Sequence, residues 1–202
     1  MGTAQVLPAL GLVELDSIAA GIAAGDAMVK AAPVEAIYGG TVQPGRYLLL
    51  TTGSTASVEI AVDRAARLGA AALLDRLFLA DVHRDVVRAL TGEALASHGT
   101  AIGVLETGSV ASVLRGADAG RKHAAVELDA LKLADGIGGK GIALFSGEVG
   151  DVEAALERAA DVAARSVQDV RTAVISQMHD EMRVNLYTDL GFQRQLRRMA
   201  GT

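Results

Sequence analysis

The chain has 202 residues, with 19 Lys or Arg against 24 Asp or Glu for a formal net charge of −5; half are apolar but only 3% aromatic. That apolar content excludes a disordered chain, the acidic balance argues against a nucleic-acid partner, and no run approaches the roughly 18 apolar residues of a membrane span. With no Cys, a disulfide framework, a thiolate metal site and an iron–sulfur cluster are not expected, and the lack of a basic-then-apolar leader points to the cytoplasm.

In chain order, residues 10–15 read as a short apolar strand. Ser17 is placed to cap a helix reaching about Lys30, whose larger apolar residues are Ile18, Ile22 and Met28. Residues 34–42 form a second strand, Gln43-Pro44-Gly45 a turn, and residues 47–52 a third strand. After a turn at 53–57 comes a helix with Val58, Ala61, Val62 and Ala65 on one buried face. A strand at about 73–79 and a short helix at 85–90 complete the half. The second half predicts a strand at 101–106, helix at 109–123, strands at 126–133 and 141–146, helix at 152–166, strand at 170–176 and helix at 180–186. Ala- and Gly-rich halves bury little area per side chain, which favours association between copies.

The two halves are a duplication. Residues 9–35 align with 101–127 at an offset of 92, sharing Gly11/Gly103, Glu14/Glu106, Ser17/Ser109, Asp26/Asp118 and Lys30/Lys122 among other identities. Residues 53–66 align with 147–160 at an offset of 94, so the second copy carries two extra residues between these blocks. Each half reads strand–helix–strand–strand–helix–strand, a ferredoxin-like split βαβ unit with an antiparallel sheet. The fold class is therefore α+β, with domains at 9–92 and 99–187 and a C-terminal tail at 188–202.

The order of ALGLVEL (9–15), Asp26-Ala27-Met28-Val29-Lys30 and Val34-Glu35, with its echo in the second half, resembles the bacterial microcompartment shell proteins, and the pair of such domains resembles their trimer-forming tandem type. QPGRYLLL (43–50), LADVH (79–83), GIGGKG (136–141) and SGEVGDV (146–152) are similar to the propanediol-utilisation members. The resemblance implies a structural subunit rather than an enzyme. Three chains would form a pseudo-hexameric disc, with other shell proteins edge to edge, encapsulated enzymes as further partners, and no nucleic acid or membrane. It implies that the loops after the second strand of each half line a central pore passing small polar metabolites: Gln43, Pro44, Gly45 and Arg46, and Ile137, Gly138, Gly139 and Lys140. It places Lys30 and Lys122 at the tile edge. The propanediol-type members carry a cysteine in place of Gln43, and three such thiolates hold an iron–sulfur cluster; Gln43 implies no cluster and no other cofactor. The family's proline–arginine–proline–histidine edge motif is replaced by Ser176-Gln177-Met178-His179, without its arginine.

Other signals have plainer readings beside these. Gly136 to Gly141 fits G-x-G-x-x-G, but a strand-like run follows where a dinucleotide site needs a helix. Arg46 and Lys140 either bias a pore toward anions or form salt bridges. Glu14 and Glu106 suit a shared structural role, accepting backbone N–H groups, better than acid–base catalysis. His83 and His179 have no metal-spaced partners and read as helix-start or interface residues; His98 and His123 are isolated. The tail, with Arg194, Arg197 and Arg198, reads as a terminal helix or as an amphipathic docking segment. A ligand-binding regulatory module built from tandem ferredoxin-like domains is the alternative at the level of fold.

Overall fold

Repetition in the sequence becomes repetition in space. The computed structural model describes residues 9–95 and 99–188. The first half runs β1 (Ala9–Leu15), α1 (Ile18–Ala31), β2 (Ala36–Val42), β3 (Arg46–Gly53), α2 (Thr55–Leu68), a 3-10 turn (Ala70–Ala72), β4 (Leu73–Leu79) and α3 (Arg84–Leu90). The second runs β5 (Ala101–Thr107), α4 (Val110–His123), β6 (Glu127–Leu133), β7 (Gly141–Gly147), α5 (Val149–Ala163), β8 (Val170–Ser176) and α6 (Asp180–Thr188). The sheets have orders β2-β3-β1-β4 and β6-β7-β5-β8, and all neighbouring strands are antiparallel. This is the split βαβ unit, twice.

Local chemistry sets the boundaries. Ser17 and Ser109 cap α1 and α4 by accepting the Ala20 and Ser112 N–H groups at 3.3 and 3.1 Å, satisfying donors that helix geometry leaves unpaired. β2 begins at Ala36 rather than at 34, although the Glu35 N–H already donates to the Thr52 carbonyl at 2.9 Å. α5 begins at Val149 and ends at Ala163, three residues earlier at each end than its apolar pattern suggests, because Glu148 takes the N-cap position and Gly150 is absorbed into the first turn. Thr41 pairs with Tyr47 and Leu133 with Gly141, so the two extra residues of the second half lie in its hairpin loop. Asp129 is a bulge in β6, between Leu128 and Ala130.

One apolar cluster lies between the first sheet and its own helices, with Val13, Leu15, Met28, Leu49, Val58 and Val62. Gly11 permits that approach, since a Cβ there would sit 2.4 Å from Val62 Cγ2; its counterpart Gly103 faces Val152 Cγ1 at 2.7 Å. The larger cluster joins the halves. Leu10, Leu12 and Leu77 on the opposite face of the first sheet pack with Val86 and Ala89 of α3, with Val110, Leu114 and Ala117 of α4, and with the interior of the second half. α1 does not share the environment of α4: Met28 is buried, but Ile18 and Ile22 are 40% and 59% exposed, whereas their counterparts Val110 and Leu114 are fully buried.

Candidate functional site: paired hairpins and the domain junction

The β2–β3 and β6–β7 hairpins meet within one chain. The Gln43 N–H donates to Asp135 Oδ1 at 3.3 Å and Arg46 Nη1 to the Gly139 carbonyl at 3.0 Å. The Gln43–Pro44 peptide is cis. Gly139 has φ of 80°, and a Cβ on it would meet Arg46 Nη1 at 2.7 Å and Pro44 Cδ at 3.1 Å, so only glycine fits both the backbone and the contact. Gln43, Pro44, Arg46 and Gly139 are thus brought together. The G-x-G-x-x-G run is the loop between two strands, so the helix N-terminus that would hold a pyrophosphate is missing.

Behind the hairpins lies a charged hub. Glu14, at the end of β1, is fully buried and accepts Arg46 Nη1 at 2.7 Å and the Val110 N–H at 2.9 Å. Arg46 also donates to the Gly108 carbonyl at 3.2 Å. A first-half carboxylate therefore caps a second-half helix, where the helix dipole favours negative charge. Burial raises the Glu14 carboxyl above its ordinary value, while the Val110 N–H and Arg46 pull it down. Lys140 makes the equivalent pair with Glu106 at 2.5 Å. Of the two readings of the hairpin cations, the structure has both in salt bridges.

The junction continues along α4. Asp75 accepts Ser109 Oγ at 2.5 Å and Ser166 Oγ at 3.1 Å and lies 3.6 Å from Arg115. Asp118 accepts the His83 N–H at 2.7 Å and Lys122 Nζ at 2.8 Å. Lys122 also donates to the Asp81 carbonyl. Lys30 makes the same i,i+4 pair with Asp26 at 2.6 Å, on an exposed surface. His83 starts α3, its Nδ1 accepting the Asp85 N–H at 3.2 Å, and burial holds its imidazole below the ordinary value. His179 starts α6 in the same way, accepting the Glu181 N–H at 3.3 Å. Asp129, buried in its bulge, accepts Ser146 Oγ at 2.8 Å and the Tyr187 hydroxyl, and burial raises its carboxyl. His98 and residues 189–202, which include the tail arginines, lie outside the described residues.

Asp75, Asp118, Asp129 and Asp135 carry contacts that the sequence did not single out. Asp118 was visible as a repeat of Asp26, but its partner His83 lies in the other half. Asp129 and Asp135 sit at a bulge and in the lengthened loop, where the repeat has no mate to compare.

The model of the BMC domain matches this chain twice, over residues 9–82 and 101–178. The chain belongs to the BMC-domain family. A bacterial microcompartment shell protein of Citrobacter freundii, PduT, is 36% identical over 174 residues, covering 86% of this chain and 95% of that one. The crystal structure of a microcompartment protein from Desulfitobacterium hafniense superimposes with a TM-score of 0.72 at 34% identity, covering 87% of this chain and 97% of that one. A double-ringed trimeric shell protein of the RMM microcompartment, at 16% identity and a TM-score of 0.54 over 77% of this chain and 81% of that one, shares the fold. The protein is accordingly a tandem BMC shell protein, a structural component of the bacterial microcompartment shell and not an enzyme; the regulatory-module alternative falls away. Its hairpin holds Gln43, and the chain has no cysteine, so the loop offers no thiolate to an iron–sulfur cluster.

Proposed function

We propose that three copies of this shell protein close head to tail into a pseudo-hexameric ring of six BMC domains, forming one tile of the microcompartment wall. The observation that carries this reading is the contrast between α1 and α4. Within a chain, the outer face of the first sheet buries Val110 and Leu114 of α4. The second sheet has the same kind of outer face: on β5 and β8, the counterparts of the strands that α4 covers, Val104 and Ile175 are half-buried and Ala173 is exposed, while the equivalent residues of α1, Ile18 and Ile22, stand in solvent. A second copy docked as the two halves dock covers both surfaces, and repetition of one heterologous contact closes a ring when the rotation fits. Six domains related by near-sixfold symmetry need three chains.

In that ring Gln43, Pro44, Gly45 and Arg46 alternate with Ile137, Gly138, Gly139 and Lys140 around a central passage for small polar molecules. Each cation carries its own carboxylate, so the wall offers backbone groups and paired charges rather than an unbalanced cationic ring. The strand register supports the edge assignment of Lys30 and Lys122: Leu15 and Leu73 pair at the hairpin end of the sheet and Leu10 with Leu79 at the far end, and Lys122 bonds at that far end, to Asp81. Tiles then meet edge to edge with other shell proteins, and one face of the disc is turned toward encapsulated enzymes.

The test is the mass in solution, by native mass spectrometry or sedimentation. The expected species is three times the 20.7 kDa chain, and Ile22→Asp should shift it to the single-chain mass. A wild-type chain that stays at 20.7 kDa at micromolar concentration overturns the ring.

A further inference from the structure

The duplication gives this chain two copies of one polar device, only one of which is complete. In the complete copy, the Glu14 carboxylate takes Arg46 on one oxygen and the Val110 N–H on the other, and Arg46 reaches the Gly108 and Gly139 carbonyls across the junction. Every partner beyond Glu14 and Arg46 belongs to the other half. In the second copy, Glu106 stands at the same place in β5 as Glu14 in β1, and Lys140 follows its hairpin as Arg46 does. Their mutual bond is present at 2.5 Å. Among the described residues the cross-junction partners are not: the Glu106 side chain is 31% exposed and that of Lys140 42% exposed, against 0% and 22% for Glu14 and Arg46.

We propose that Glu106 and Lys140 are one half of an intermolecular clamp, in which the Glu106 carboxylate caps α1 of a second copy at its Ile18 N–H and Lys140 donates to that copy's Asp16 and Gly45 carbonyls. The partners follow from the repeat. Val110 corresponds to Ile18 and Gly108 to Asp16 at the offset of 92, and Gly139 corresponds to Gly45, each preceding its hairpin cation. The chemistry fits. Ile18 is the first residue of a 14-residue helix, where an N–H is left without an intrahelical partner and the dipole favours a carboxylate. A lysine ammonium has three donors, which matches Glu106, Asp16 and Gly45. The substitution of Lys for Arg also separates the two junctions. The permanent one within the chain uses a planar guanidinium, whose Nη1 faces Glu14, Gly108 and Gly139, and the one that must assemble uses a hydrated, flexible cation.

This inference rests on the ring, and the two are separable by experiment. Wild type and variants are compared by sedimentation equilibrium, with circular dichroism to verify folding. Glu106→Ala should raise the dissociation constant of the assembly at least tenfold. Ile18→Pro removes the capped N–H at a helix position that tolerates proline and should weaken assembly well beyond Ile18→Ala, which retains it. The two lesions together should cost no more than the larger one, because they break the same bond. The exchanged variant E106K/K140E keeps the intrachain ion pair, so the monomer folds, but it turns an ammonium toward the α1 N-terminus; it should not assemble. A wild-type monomer would defeat the ring itself. A wild-type trimer whose affinity is unmoved by Ile18→Pro relative to Ile18→Ala, or matched by the exchanged variant, would defeat the clamp and leave the ring standing.

Discussion

A buried carboxylate is tolerable only when its charge is answered, and Glu14 shows how this chain does it. Its two oxygens are satisfied by one guanidinium and one helix N-terminus. Arg46→Ala would leave the acid buried without its cation, which should cost about 3–5 kcal/mol, the range for breaking a buried pair from one side. The pH dependence distinguishes this from lost packing. The folded Glu14 is raised above 4.5 by burial, so above that value the folded state binds the proton more readily than the unfolded state. Its stabilising contribution is complete below the unfolded pKa and is lost as pH rises through the folded one. Removing Arg46 lifts the folded value further and extends that loss to higher pH. Urea unfolding at pH 5 and pH 8 should therefore give a smaller penalty for Arg46→Ala at the lower pH; an equal penalty would mean that the arginine contributes packing alone.

At the scale of elements, α1 and α4 have matching caps and lengths but different surroundings. Leu114 is fully buried against the first sheet, so Leu114→Ala should destabilise the single chain by about 2–5 kcal/mol. Ile22→Ala, at the equivalent exposed site, should change the stability of the unassembled chain by less than about 0.5 kcal/mol and act on assembly instead. Chemical denaturation, with Ile22→Ala introduced into an Ile18→Asp background that stays monomeric, checks both. This contrast also marks what the sequence made legible. Strand order, helix caps and the hairpin loops were readable because each was written twice, with Ser17 and Ser109 in the same role. The fate of Ile18 and Ile22 was not readable, because apolar spacing says that a face is covered without saying by which molecule. The orientation of Arg46 and Lys140 depends on Glu14 and Glu106, residues 32 and 34 positions away, and the Glu14 bond to Val110 spans 96. No local pattern encodes such distances.

For the whole molecule, the division into two domains is a statement about ancestry more than about energetics. The larger apolar cluster draws Leu10, Leu12, Leu77, Val86 and Ala89 from the first half and Val110, Leu114 and Phe145 from the second. Separating the halves would strand apolar area on both sides at about 25 cal/mol per Å² and would leave Glu14, Asp75 and Asp118 without their partners across the junction. A half-chain that has lost so much of one sheet face lacks the burial needed to offset its chain entropy. Intact protein should therefore unfold in one cooperative transition, with tyrosine reporters in the two halves, Tyr38 or Tyr47 against Tyr187, melting together in single-tyrosine variants. Residues 9–95 produced alone should fail to give a folded monomer by circular dichroism and gel filtration, and should recover native signal when mixed with residues 99–188. Two separate transitions, or a half that folds alone to native-like stability, would mean that the shared core holds the halves in register without making them interdependent.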